Sequence, residues 1–176
     1  DIAQLYNLSP MDAAKKMISE SKNNGAHIAK FQSYKAEKIA ANFSPAYWDT
    51  NEEKTTSQIE LFKKFDSFGK DEFQELSNYC NNIGIEFMST GFDVNSVNYI
   101  NDLVVRHKIA SADLTNIELI KTIANFNKPV IMSTGASTLN EIFTAVKLLK
   151  DFGIEDLTLL HCVLNYPTKL SNANLW

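Results

Sequence analysis

The stretch Ile28-Ala29-Lys30-Phe31-Gln32 decides how this chain is read, because it sets a lysine and an amide at the end of an apolar, strand-like run. The same design returns downstream. Glu86-Phe87-Met88-Ser89-Thr90, Lys108-Ile109-Ala110-Ser111 and Val130-Ile131-Met132-Ser133-Thr134 are apolar runs that end in hydroxyls, and Leu157-Thr158-Leu159-Leu160-His161-Cys162 follows the same plan. A helical pattern separates each run from the next. Parallel strands buried on both faces read as such continuous apolar runs. In open sheets and barrels alike, the active site lies at the carboxyl ends of those strands.

The helical patterns carry their own start and stop signals. Ser9-Pro10 opens a helix whose Met11, Ala14, Met17 and Ile18 share a face, and Asn23-Asn24-Gly25 closes it. Thr56–Phe65, Lys70–Asn82, Asp93–Leu103 and Asn116–Asn125 read as further amphipathic helices, and Thr138-x-x-Glu141 is a capping box for another. Residues 33–54 form a long polar connection with Tyr47-Trp48 in its middle, which predicts a folded, ligand-covering loop. Residues 1–7 precede the first helix, and they are taken as a connecting insertion with a further strand upstream. Five strands are counted and a sixth is implied. A (β/α)8 barrel takes about 250 residues, so the expected fold is α/β, a single partial TIM-barrel domain over residues 1–176 with about strands 2–6 present. A doubly wound nucleotide-binding sheet would want Gly-x-Gly-x-x-Gly after a strand, and the chain has none.

Composition narrows the function. With 44% hydrophobic residues the chain can bury a core, and its net charge of −4 gives no electrostatic case for nucleic acid or an anionic membrane surface. No apolar run approaches the roughly 20 residues that span a bilayer. Cys80 and Cys162 lie far apart in apolar surroundings and read as reduced core thiols of a cytoplasmic protein.

Lys30 and Lys108 sit in equivalent positions on different strands, where an ammonium is costly unless paired. With Thr90, Ser111 and Ser133 beside them, the pair predicts a site for a phosphate, a carboxylate or both. Each hydroxyl alone would be ordinary turn chemistry. A nucleophilic Cys162 is disfavoured, since His161 and Cys162 as strand neighbours point to opposite faces. His27 and His107 read as strand residues without partners. No His-x-x-x-His or carboxylate cluster marks a metal site.

Taken in order, Lys30-Phe31-Gln32, Phe87-Met88-Ser89-Thr90-x-Phe92-Asp93, Lys108-Ile109-Ala110-Ser111, Lys128-Pro129-Val130-Ile131-Met132-Ser133-Thr134-Gly135 and Leu160-His161-Cys162-Val163-x-x-Tyr166-Pro167-Thr168 resemble the N-acetylneuraminate (sialic acid) synthase family over nearly the whole chain. The resemblance implies a βα barrel that condenses phosphoenolpyruvate with the open-chain aldehyde of an N-acylated hexosamine, giving a nonulosonic acid and phosphate. Neuraminic, legionaminic and pseudaminic precursors all stay open as acceptors. It further implies that Lys30, Gln32, Thr90, Lys108, Ser111, Ser133 and Tyr166 hold phosphoenolpyruvate, with Lys30 and Lys108 as the catalytic pair. Asp113 and Asn51, with Trp48 and Asp49 near the same mouth, would face the acceptor sugar. A divalent metal, manganese or magnesium, is implied, with ligands beyond Trp176 and none in this chain. A C-terminal antifreeze-like domain beyond residue 176 and a homodimer of the longer protein follow from the same resemblance, and residues 1–176 alone are expected to be inactive.

Two departures bear on this. Gly91 stands where the family has proline, which is expected to loosen the turn carrying Thr90, and Leu164 replaces a polar side chain. The competing readings are another phosphoenolpyruvate- or pyruvate-dependent carboligase or aldolase, and a non-catalytic sugar-binding barrel homologue.

Overall fold

A computed structural model describes residue 3 and residues 6–175. Most of the 1–7 segment expected as a connecting insertion therefore lies outside the described residues, as does Trp176. Helix α1 (Pro10–Asn23) opens on Ser9, whose Oγ accepts from the Asp12 amide at 3.1 Å. Ala13, Ala14 and Ile18 are its buried side chains, whereas Met17 is largely exposed. Gly25 turns the chain with φ +89° into β1 (Ile28–Ser33). Then come α2 (Ala36–Ile39), α3 (Gln58–Phe65), α4 (Lys70–Ile83), β2 (Glu86–Gly91), α5 (Val94–Asn101), β3 (His107–Ile109), α6 (Ile117–Ala124), β4 (Val130–Ser133), α7 (Leu139–Asp151) and β5 (Leu157–Leu160).

Capping signals read from the sequence are realised in side-chain contacts. Asn116 accepts from the Leu119 amide at 3.2 Å to start α6. At α7, Thr138 and Glu141 cap each other, the Thr138 amide donating to Glu141 Oε2 at 2.7 Å. The long connection after β1 differs from expectation in holding α2 and in being pinned to the start of α3. There the Gln58 amide donates to the Ser44 carbonyl at 2.7 Å and the Ala46 amide to Thr56 at 3.0 Å. Trp48 is anchored by its indole N–H on the Glu53 and Thr55 carbonyls, while Tyr47 projects into solvent.

The five strands form one parallel sheet in the order β1-β2-β3-β4-β5. Sequential parallel neighbours joined by helices are the unit of a βα barrel, and here five consecutive strands of one are present. Register fixes which side chains share a face. Gln32 pairs with Thr90, Thr90 with Lys108, Lys108 with Ile131, and Ile131 with Thr158. Since side chains alternate along a strand, Lys30 and Ser133, each two residues from a member of that row, lie on the same face.

The opposite face holds the core. Ala29 and Phe87 pack with Phe73, Leu76 and Cys80 of α4, while Ile109, Val130 and Met132 pack with residues of α6 and α7. Ser33 and Ser89 are on this helix side and hydrogen-bond to each other at 2.6 Å. The helix side also takes His107, fully buried and stacked on Phe126, with Nε2 3.1 Å from Asn101 Oδ1. Its expected lack of a partner is therefore corrected: burial, and after it the Lys128 charge, push its pKa down to about 4 and keep it neutral.

Uniform burial of the strands is likewise corrected. The side chains of β3 are buried throughout, but Lys30 and Gln32 of β1 and most of β5 are exposed. Both of these are edge strands, with a neighbour on one side only.

Candidate active site

Lys108 is the centre of the exposed-face row. It comes from the middle of β3, flanked by Thr90 on one side and Ile131 on the other. Its Nζ donates to Ser133 Oγ at 2.7 Å and to the Ile109 carbonyl at 2.6 Å. Neither partner is charged, so the ammonium is hydrogen-bonded but unneutralised. Burial, and after it the positive charge of Lys30, pull its pKa down to about 8. Lys30 is also lowered, by burial alone. Two cations that disfavour one another on a half-buried face make a place where an anion gains from both.

The hydroxyls around them differ in role. Thr90 is buried in the row beside Gln32 and Lys108. Ser133 receives the Lys108 proton. Ser111 opens a single 3-10 turn after β3, and its Oγ accepts from the Gly135 amide at 3.0 Å. That bond ties the turn after β3 to the turn after β4 and leaves the Ser111 O–H free to donate. Gly135 has no room for a side chain: a Cβ there would stand 2.9 Å from Cys162 Cβ. Cys162 is half-buried and Cys80 fully buried; both are free thiols.

Asp113 closes the same 3-10 turn. Its Oδ2 is buried without a hydrogen-bond partner, and burial raises its pKa to about 6. It lines a cleft of about 540 Å³ together with Gln32, Tyr34, Lys38, Gln58 and Asn116. Gln32 thus borders both the lysine row and the cleft.

Two candidates stand apart from this arrangement. Tyr166 is 93% exposed, lining a separate shallow cleft with His161 and Cys162. Asn51 is exposed in an Asx turn, its amide donating to Asp49 Oδ1 at 2.8 Å, and it does not line the Asp113 cleft. Tyr34, Lys38 and Gln58 were missed by the sequence reading, since they fall in or beside a connection without periodicity. Gly91 does not loosen its turn. It pairs with Ser33 as the last residue of β2, and a Cβ there would stand 2.7 Å from Val97 Cγ2. Leu164 is exposed.

No group of three or more His, Cys, Asp or Glu side chains able to hold a metal forms among the described residues. Asp113 is the cleft's one carboxylate, and His161 is engaged by the Ala173 carbonyl at 2.8 Å. The described residues do not make a metal site by themselves. Among them, no helix is long and apolar enough to cross a membrane.

A model of the NeuB family matches residues 17–176. The chain belongs to the NeuB family. It is 34% identical over 172 residues to an N,N'-diacetyllegionaminic acid synthase of Legionella pneumophila, covering 94% of this chain and 48% of that protein. Against an N-acetylneuraminate-9-phosphate synthase of Drosophila melanogaster the identity is 31% over 169 residues, covering 94% and 45%. Among solved structures, an N-acetylneuraminic acid synthetase of Leptospira borgpetersenii, in complex with citrate, superposes with a TM-score of 0.78 at 33% identity, over 93% of this chain and 53% of that one. A 3-deoxy-D-arabino-heptulosonate 7-phosphate synthase of Thermotoga maritima shares the fold alone, with a TM-score of 0.61 at 11% identity. The chain spans about half the length of the curated NeuB relatives it matches.

Proposed function

We propose that this NeuB-family chain carries the phosphoenolpyruvate-holding half of a nonulosonic-acid synthase. The observation that carries the reading is the row Lys30, Gln32, Thr90 and Lys108 on one sheet face, with Lys108 bonded to Ser133 and unneutralised. A ligand with a carboxylate at one end and a phosphate at the other suits two separated cations better than a single-headed anion does.

In the proposed reaction, C3 of phosphoenolpyruvate bonds to the aldehyde carbon of an open-chain N-acylated hexosamine, whose oxygen takes a proton. Water adds at C2, losing a proton. The resulting tetrahedral centre expels phosphate by C–O cleavage and leaves the 2-keto acid. Lys30 and Lys108 hold the carboxylate and phosphate, and their charge stabilises what develops on the departing phosphate. Ser111 and Ser133 position the phosphoenolpyruvate through hydroxyl donors, and Thr90 and Gln32 border it. Asp113, with one unpartnered oxygen beside the cleft, accepts a hydrogen bond from the acceptor sugar. Tyr166 and Asn51 are not included, being outside this arrangement. A divalent metal, action in the cytoplasm and a homodimeric whole protein belong to the same proposal.

The test is phosphate release by the full-length protein with phosphoenolpyruvate and manganese, across a panel of N-acylated hexosamines. Release with an acceptor, lost at least a hundredfold in Lys108→Ala, is expected. A folded full-length protein that releases no phosphate with any acceptor would remove the synthase reading.

A further inference from the structure

The cleft beside Asp113 has walls of a definite chemistry. One side is aromatic: Tyr34 meets Phe62 and Phe92 edge-on, at centroid distances of 5.7 and 6.3 Å. The rest is rich in carboxamides, with Gln32, Gln58 and Asn116 all lining it. The last two have complementary free ends. Asn116 Oδ1 is used as the cap of α6, which leaves its Nδ2 to donate. Gln58 Nε2 leans on the Pro45 carbonyl at 3.5 Å, which leaves its Oε1 to accept. A donor and an acceptor on amide groups, beside aromatic faces, match the N–H, C=O and methyl of an acylamino group.

Position decides which acylamino group Gln58 can meet. Lys108 belongs to β3, and Asp113 to the turn that follows it. Gln58 opens α3, in the connection after β1, and β1 and β3 are separated by β2. Two strand spacings put about 10 Å between these elements. An aldehyde carbon held next to the lysine row therefore keeps its C2 substituent near Asp113, and Gln58 meets a substituent farther along the sugar chain.

We infer that Gln58 is a specificity-determining residue that reads a second acylamino group on the acceptor, with that group's methyl against the Tyr34, Phe62 and Phe92 rings. The preferred acceptor class is then a bis-acylamino hexose rather than a mono-acylamino one. This rests on the synthase reading above, and it assigns Gln58 a role that anion binding by Lys30 and Lys108 does not require. The fold tolerates the test, because α3 is pinned to the loop by the Gln58 backbone amide, and the side chain's bond to Pro45 is long.

The experiment measures kcat/KM of the full-length protein for N-acetylmannosamine and for its 2,4-diacetamido counterpart, in the wild type, Gln58→Ala and Gln58→Glu. The wild type is expected to favour the diacetamido acceptor at least tenfold. Gln58→Ala should bring that ratio down about tenfold, and Gln58→Glu, which keeps an acceptor oxygen, should recover part of it. A wild type that prefers the mono-acylated sugar, or a Gln58→Ala variant that loses both activities in equal proportion with an unchanged thermal midpoint, would overturn the assignment. Wild-type protein that releases no phosphate with either sugar would defeat the synthase reading itself, a result distinct from loss of discrimination.

Discussion

Lys108 shows how a single side chain ties burial to function. Its ammonium has hydroxyl and carbonyl partners but no carboxylate within an ion pair, and Lys30 shares its face. Its pKa in the free site is lowered to about 8, so it begins to lose charge as pH rises through that value. A bound anion favours the charged form and raises the pKa, so binding above pH 8 takes up a proton. Phosphate esters have their second pKa near 6, so the ligand's own charge is constant there. Affinity for phosphoenolpyruvate should hold between about pH 7 and 8, then fall toward tenfold per pH unit above it. Calorimetric titration in two buffers of different ionisation enthalpy checks both the slope and the proton uptake. A flat profile from pH 7 to 9.5 would show that Lys108 does not meet the anion. The lysines were legible in the sequence because an ammonium at the end of an apolar run is costly and rare. Gln58 and Tyr34 were not, because an amide and a phenol beside an aperiodic connection carry no such signal.

At the scale of elements, the turns after the strands are held by side chains from neighbouring units. Asp93 is the clearest case. Its Oδ1 accepts from the Ser96 amide at 2.9 Å, capping α5, and its Oδ2 accepts from Ser96 Oγ at 2.7 Å and from the Lys35 amide at 3.2 Å. The last contact joins the turn after β2 to the one after β1, which carries Tyr34 toward the cleft. Asp93→Ala loses a cap worth ~1 kcal/mol and strands a part-buried N–H at a further ~1–3 kcal/mol. The urea midpoint should fall at constant m, while Asp93→Asn, itself a good cap, should lose less than half as much. Equal losses in the two variants would mean that the carboxamide cannot replace the cap and the cross-turn bond. The helices and caps were legible because 3.6-residue periodicity and the Ser-Pro and Thr-x-x-Glu signals are local. Gly91 was misread for the opposite reason. Its need for space is set by Val97 and Ile100, and contacts from the next helix are invisible in a turn's own residues.

For the whole molecule, the helix side and the row side of the sheet are in different states. The helix side is packed through two core clusters, whereas Leu159 and Leu160 of β5 join Lys30 and Gln32 in exposure. The accessible surface is 10889 Å² for 19.8 kDa. A compact monomer of that mass exposes about 8,600 Å², so the chain carries an excess of roughly 2,300 Å². Parallel sheets are normally covered on both faces, and unpaired strand edges template further pairing. The strand order was readable from alternation of apolar runs and helical stretches, but exposure was not, because a run of apolar residues looks the same at the edge as in the middle of a sheet. As a free segment, residues 1–176 should self-associate, eluting ahead of the monomer in size-exclusion chromatography at tens of micromolar, and should bind an apolar dye such as ANS. The full-length protein should bind far less dye per mole. A segment that stays monomeric and dye-free across that range would show that the excess surface is tolerated in water. The open face would then be built for a small ligand, with no need of a covering half.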